Sequence, residues 1–115
     1  HEYAEVPWSV AKGREAWDVW AEKRVAVRVA IGRTDNQYFL PGVTAASHQA
    51  FLAVSPDGVD GGLPLRCYVL RGTRAERDVK RAKEYRGGTP EELHWLKGVA
   101  RADRQLVVER IERVD

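Results

Sequence analysis

The part of this sequence best suited to binding a phosphate-rich partner runs from residue 71 to residue 86. It holds seven basic and three acidic residues, a local net charge of +4, whereas the whole chain carries +2. Positive charge gathered in one segment attracts nucleic acid. The candidate nucleic-acid-binding residues of this segment are Arg71, Arg74, Arg77, Arg81, Lys83, Tyr85 and Arg86.

On a helix, three of these arginines share one exposed sector. Each residue advances about 100° around the axis, so Arg74, Arg77 and Arg81 lie side by side with Tyr85 next to them. Guanidinium groups bind phosphate at two points, and an aromatic ring stacks on a base. The pattern predicts binding to the phosphate backbone of DNA or RNA with little sequence preference.

The same segment also fits a helix face that only contacts water. Glu76 precedes Lys80 by four residues, the favourable order for an ion pair, and Arg74 with Asp78 forms a second such pair. Both interpretations of the basic segment therefore stay open.

Two other classes of function are compatible with the sequence. A small metal-independent ribonuclease, such as a toxin domain, needs an acid/base pair and a cation for the developing phosphate charge. His48, His94 and Glu92 could supply the pair if the fold brought them to the basic helix. A non-catalytic structural or protein-interaction domain is the third class, with Trp8 or Trp95 on the surface meeting a protein partner.

Metal and cofactor chemistry has little support in the sequence. The histidines lack metal-ligand spacing, and Asp57 and Asp60 lie in a glycine-rich segment without the order of a calcium loop. An N-terminal histidine can chelate copper with a second histidine, for which His48 and His94 are the candidates, but we expect no metal and no cofactor. Cys67 alternates with apolar residues and is expected to be a buried small hydrophobe.

Composition predicts one globular domain of 115 residues, with 43% hydrophobic and 31% charged residues. No apolar run approaches the roughly 20 residues that a membrane span needs. A single cysteine fits a reducing compartment, and we expect a cytoplasmic location. The chain begins at His1 and contains no methionine, so we expect a processed form or a domain cut from a longer chain.

Residue periodicity predicts the elements that position these side chains. Helices are expected at about 9–24, at 73–86 behind a Thr73 capping box, and at 89–100 behind Thr89 and Pro90. Strands are expected at 25–31, 38–40, 65–70 and 106–114, and residues 43–54 fit either a helix or a strand, with Phe51 to Val54 favouring a strand.

These elements predict an α+β fold, a small mixed or antiparallel sheet packed on one face by about three helices. The sheet should include residues 25–31, 65–70 and 105–112. The side chains expected in its core are Trp17, Val27, Val29, Cys67, Val69, Val79, Leu96 and Val107.

Overall fold

The structure is a computed structural model that describes residues 2–58 and 62–115. The copper hypothesis for His1 and the resemblance of Asp60 to a calcium ligand lie outside these residues. No helix in the two described ranges is both long and apolar enough to cross a bilayer.

Within these ranges the chain forms six strands and three short helices, which confirms the predicted α+β class and the mixed sheet. In chain order they are β1 (Ala4–Glu5), α1 (Trp8–Ala11), α2 (Arg14–Asp18), β2 (Arg24–Asp35), β3 (His48–Val54), β4 (Leu65–Leu70), α3 (Arg74–Arg81), β5 (His94–Arg101) and β6 (Gln105–Arg113).

The sheet closes into a five-stranded barrel, which the sequence did not predict. Strand β2 pairs with β5 along its first half and with β3 along its second half, both antiparallel. The remaining neighbours are β3–β4, antiparallel, β4–β6, parallel, and β6–β5, antiparallel. The order β2-β3-β4-β6-β5 therefore returns to β2, and the short β1 adds to β2 in parallel.

Alternating apolar residues fill the inside of this barrel. Every second residue of β2 from Val25 to Ile31 is buried, and so are Leu65, Cys67 and Val69 on β4. Trp17 from α2 and Val79 from α3 join the same core, which lies between the helices and the strands. The predicted core is confirmed for Trp17, Val27, Val29, Cys67, Val69, Val79 and Leu96, whereas Val107 is half-buried on the outer face.

Two glycines lie where the strands bend. The β5–β6 register shifts between Lys97 and Gly98, and a Cβ atom on Gly98 would lie 2.0 Å from the Val107 carbonyl oxygen. The β2–β3 register shifts next to Gly32, whose Cβ would lie 3.1 Å from the Leu52 oxygen. Bulges of this kind bend strands and allow a barrel to close.

The helix predicted at 89–100 is wrong, because this segment forms β5. Burial alternates from His94 to Leu96, Gly98 and Ala100, and pairing with β2 on one side and β6 on the other satisfies the backbone. Leu96 and Ala100 also fit helical spacing, so the local pattern was ambiguous. The pairing between distant strands decided it.

Three other boundaries also differ from the predictions. The first helix is interrupted at Gly13 and ends at Asp18, so it forms α1 and α2. Residues 38–40 form no strand and belong to the β2–β3 connection. The basic helix ends at Arg81, because Ala82 is extended with ψ of 140°. The predicted Thr73 cap and the strand at Phe51 to Val54 are confirmed.

Replacing Trp17 with alanine should strongly destabilise the fold. Its side chain is fully buried, and its Nε1 donates to the carbonyl oxygens of Arg101 and Gln105 at 3.0 and 3.2 Å. We expect a loss of about 3–5 kcal/mol in unfolding free energy, measured by urea titration. Val19→Ala, at an exposed side chain, is the control and should change stability by less than about 0.5 kcal/mol. A loss below about 1 kcal/mol for Trp17→Ala would contradict its place in the core.

A methyl group at Gly98 should disrupt the bulge between β5 and β6. Gly98→Ala forces backbone atoms apart, and we expect a loss of about 1–3 kcal/mol or more in thermal unfolding experiments. At Gly13 the nearest atoms to a new Cβ lie 3.8 Å away, so Gly13→Ala should cost about 1 kcal/mol or less. Equal effects of the two substitutions would be inconsistent with the close approach at Gly98.

Candidate nucleic-acid interface

The β2–β3 connection, residues 36–47, folds across part of the outer face of β3 and β4. Tyr38 stacks on Tyr68 with 5.8 Å between ring centroids. The Tyr38 hydroxyl donates to the His48 carbonyl oxygen at 3.0 Å and accepts from the Ala50 amide at 3.1 Å. These contacts attach the connection to the start of β3.

Tyr68 fixes the backbone of the neighbouring Phe39. Its hydroxyl donates to the Gln105 side-chain oxygen at 2.5 Å and accepts from the Phe39 amide at 3.3 Å. Burial raises the pKa of the Tyr68 phenol, against smaller lowering effects from the Phe39 amide and Arg66. The phenol therefore stays neutral and keeps both hydrogen bonds at physiological pH.

Phe39 presents its ring to solvent. The side chain is 60% exposed, and the Arg66 guanidinium lies 4.9 Å from its ring centroid. Arg66 in turn forms an ion pair with Asp35, the last residue of β2. The Arg66 side chain is 25% exposed and the Asp35 side chain is 10% exposed. A cation and an exposed aromatic ring are thus held side by side on the barrel surface.

An open groove of about 500 Å³ lies beside Arg66. We call it the arginine groove. Four arginines and one aspartate give its lining a net charge of +3, and exposed Leu63 adds an apolar wall. The lining residues are Arg14, Arg33, Leu52, Leu63, Pro64, Arg66, Asp103 and Arg104.

The arginines of this groove differ in how firmly they are held. Arg33 is 70% exposed and 4.0 Å from Asp35. The Arg14–Asp103 pair is 72% and 61% exposed, and such pairs contribute little to stability, so a phosphate can replace the carboxylate. Arg104 is structural, because it is buried and donates to the carbonyl oxygens of Ala11 and Leu63.

Four of the seven residues predicted to bind nucleic acid interact with carboxylates. Each pair joins an exposed or half-exposed cation to a nearby acid. The pairs are Arg71–Glu76 at 3.2 Å, Arg74–Asp78 at 3.9 Å, Lys83–Glu91 at 2.5 Å and Arg86–Glu84 at 3.1 Å. The Arg74–Asp78 pair was expected from the spacing, as was Glu76–Lys80, which is present at 3.4 Å.

The other three predicted residues are Arg77, Arg81 and Tyr85. Arg77 and Arg81 are exposed on α3, and neither forms an ion pair with another described residue. Tyr85 follows the helix, is half-buried and donates from its hydroxyl to the Gly88 carbonyl oxygen at 2.9 Å. The predicted row thus keeps two cations on the helix without a carboxylate partner in the described part of the chain.

The grooves beside α3 carry balanced charge. The one between α3, β5 and β6 encloses about 430 Å³ and is lined by three arginines and three carboxylates, with His94 at its base. Glu92 and His94 do come together there, with 3.9 Å between Oε1 and Nε2. His48 does not line it and instead contacts Ser47, its Nδ1 lying 2.7 Å from the serine oxygen. The acid/base group proposed from the sequence is therefore only partly assembled.

No cluster of three or more metal-ligating side chains occurs among the residues that the structure describes. Cys67 is fully buried, and burial strongly raises the pKa of its thiol, which keeps it protonated. Its expected role as a small hydrophobe in the core is confirmed.

Comparison with known proteins identifies a relative in fold. No protein-family model matches the sequence, and no curated protein sequence matches it. The fold resembles part of a crystal structure of a Leishmania major Friedlin protein assigned as an aspartyl-tRNA synthetase, with a TM-score of 0.54 and 10% identity. The match covers 97% of this chain and 21% of that one, so the two share a fold over a fifth of the larger protein.

The barrel has the topology of the OB-fold, a five-stranded Greek-key barrel. In proteins with this fold, the second and third barrel strands and the loops beside them bind oligonucleotides or oligosaccharides. The corresponding strands here are β3 and β4. Leu52 and Arg66 of the arginine groove lie on them, and Asp103 lies in the β5–β6 turn.

The sequence alone did not single out four residues that the structure brings to this surface: Arg14, Arg33, Phe39 and Arg66. They are far apart in the chain, so no local cluster of charge marks them. One signal was available: Arg66 alternates with the inward residues Leu65 and Cys67 and must point outward. Phe39 was assigned to a strand that does not form.

Stability should fall as pH drops because His94 is buried. Burial lowers the pKa of His94 from its ordinary value of 6.5, so the folded protein favours the neutral ring. The unfolded chain binds the proton more readily than the folded protein does. The contribution of His94 to stability is therefore fully present above about pH 6.5 and decreases as the pH falls below that value. Unfolding free energies at about pH 7.5 and about pH 5.5 should differ less for His94→Gln than for the unmodified protein. An identical difference would show that His94 is not responsible.

Proposed function

We propose that this domain binds single-stranded nucleic acid along the outer face of β3 and β4, through the arginine groove and Phe39. The observation that carries the proposal is the groove of net charge +3 beside an exposed aromatic ring. Grooves of positive charge follow the phosphate backbone, and aromatic rings stack on bases, in proteins that bind single strands without sequence preference.

Each part of the surface has a defined task in this proposal. Arg33 and Arg14 contact phosphates, because their guanidinium groups are exposed and only weakly paired. Phe39 stacks on one base, and Arg66 orients the ring from the side of the barrel. Leu63 contacts the neighbouring sugar or base with its apolar side chain.

The fold relative supports RNA as the class of ligand. An aspartyl-tRNA synthetase acts on a nucleic acid, and the region resembling this chain covers only part of that protein. The OB-fold topology supports the choice of face, because the groove lies on the two strands that bind oligonucleotides in that fold.

The basic segment predicted from the sequence is a second contact in this proposal. Strand β4 ends at Leu70 and α3 begins at Arg74, so the helix directly follows the strand that carries Arg66. In this proposal the nucleic acid extends from the groove to the helix. There Arg77 and Arg81 contact phosphates directly. Arg71, Arg74, Lys83 and Arg86 contribute a positive field that exchangeable ion pairs partly neutralise. Tyr85 is uncharged and offers only its half-buried ring beside them.

Removing the Phe39 ring should weaken binding without unfolding the domain. Stacking of one base on an aromatic ring contributes about 1–3 kcal/mol, so Phe39→Ala should reduce affinity by about 5- to 150-fold. The measurement is fluorescence anisotropy with a labelled single-stranded RNA of about ten nucleotides. Arg33→Gln should lower the slope of log affinity against log salt by about 0.7.

The matched variant on the helix separates the two contacts. Replacing Arg74, Arg77 and Arg81 together with glutamine should flatten a slope of roughly −2 to −4 while stability stays almost unchanged. If this triple variant abolishes binding while Phe39→Ala does not, the helix is the main interface and the groove proposal is wrong. RNA that stays intact during the titration distinguishes binding from ribonuclease activity.

A further inference from the structure

A second groove, of different composition, lies on the outer face of β2 and β5. Arg28 on β2 pairs in register with Trp95 on β5, and both residues line the groove. Its volume is about 520 Å³. Its walls come from the chain before α1 and from two residues that closely follow β3, and the lining residues are Glu5, Val6, Pro7, Trp8, Arg28, Pro56, Asp57 and Trp95. We call it the tryptophan groove.

The polar groups of Arg28 and Trp95, which lie opposite each other on β2 and β5, are hydrogen-bond donors. An indole has one N–H and no acceptor, and a guanidinium has five donors and no acceptor. Arg28 is exposed and forms no ion pair with another described residue. Trp8 and Trp95, which were expected on the surface, are half-buried, so the groove offers the exposed parts of their rings. The donors available to a ligand are those of Arg28 and of the Trp95 indole.

The charge of the tryptophan groove disfavours a nucleic acid. Glu5 and Asp57 are both exposed and outnumber Arg28, which gives a net charge of −1. The arginine groove carries +3 on the outer face of β3 and β4. A polyanion is attracted to the arginine groove and repelled by the carboxylates of the tryptophan groove, whereas a ligand with a positive charge is attracted to Glu5 and Asp57.

We propose that the tryptophan groove binds a proline-rich peptide segment that carries a basic residue. Proline has no backbone N–H, so such a segment presents carbonyl acceptors in an extended, preformed helix. Aromatic-lined grooves bind these segments by packing rings against prolines. Arg28 and the Trp95 indole donate to the carbonyl groups, and Glu5 or Asp57 pairs with the basic side chain.

The indole signals of the four tryptophans test this directly in a nitrogen–proton NMR titration of the whole 115-residue chain. The probe is a synthetic peptide with two Pro-x-x-Pro units and an arginine at one end. The Trp8 and Trp95 signals should shift, whereas Trp17, which is buried and bonded to two carbonyl groups, should not. Trp95→Ala and Arg28→Gln should each weaken binding by about tenfold or more.

Two controls make the outcome decisive. A peptide with glutamate in place of arginine should bind at least about tenfold more weakly, because the groove is acidic. Phe39→Ala, beside the arginine groove, should bind the peptide as the unmodified protein does. Absent shifts at millimolar peptide, unchanged binding by Trp95→Ala, or tighter binding of an oligosaccharide or single-stranded RNA at the same indoles would overturn the proposal.

Discussion

The double pairing of β2 holds the whole barrel together. Its first half pairs with β5 and its second half with β3, and without either set of hydrogen bonds the sheet would open and expose its core. The strand must bend between the two partners, and it does so beside Gly32. Its last residue, Asp35, binds Arg66, and Arg66 lies against Phe39. The geometry of the arginine groove therefore depends on where β2 ends.

Closure also separates the outer surface into faces with different chemistry. The outer side of β3 and β4 bears the arginine groove, with net charge +3, and the outer side of β2 and β5 bears the tryptophan groove, with net charge −1. The chain as a whole is only slightly positive, so its overall charge conceals this difference. A polyanion and a cationic peptide can be attracted to one small domain at separate places.

Local signals in the sequence predicted much of the fold. The alternation from Val25 to Ile31 and the Thr73 cap each depend on neighbouring residues, and both elements begin where expected. Their ends differ, since β2 continues to Asp35 and α3 stops at Arg81. The prediction of a helix at 89–100 failed because Leu96 and Ala100 fit both helical and strand periodicity. Pairing with distant strands is what makes this segment the strand β5. The arginine groove could not be predicted for the same reason: Arg33 and Arg66 come together only when the barrel closes.

The most direct test of the account is NMR mapping of a single-stranded RNA of about eight nucleotides on the isotope-labelled protein, within the usual site size of this fold. We predict that the largest amide shifts fall at Arg33, Phe39, Leu52 and Arg66, with smaller ones at Arg77 on α3. Shifts confined to α3, or to the surroundings of Trp95, or no shifts at low salt would contradict the assignment of the β3–β4 face as the nucleic-acid interface.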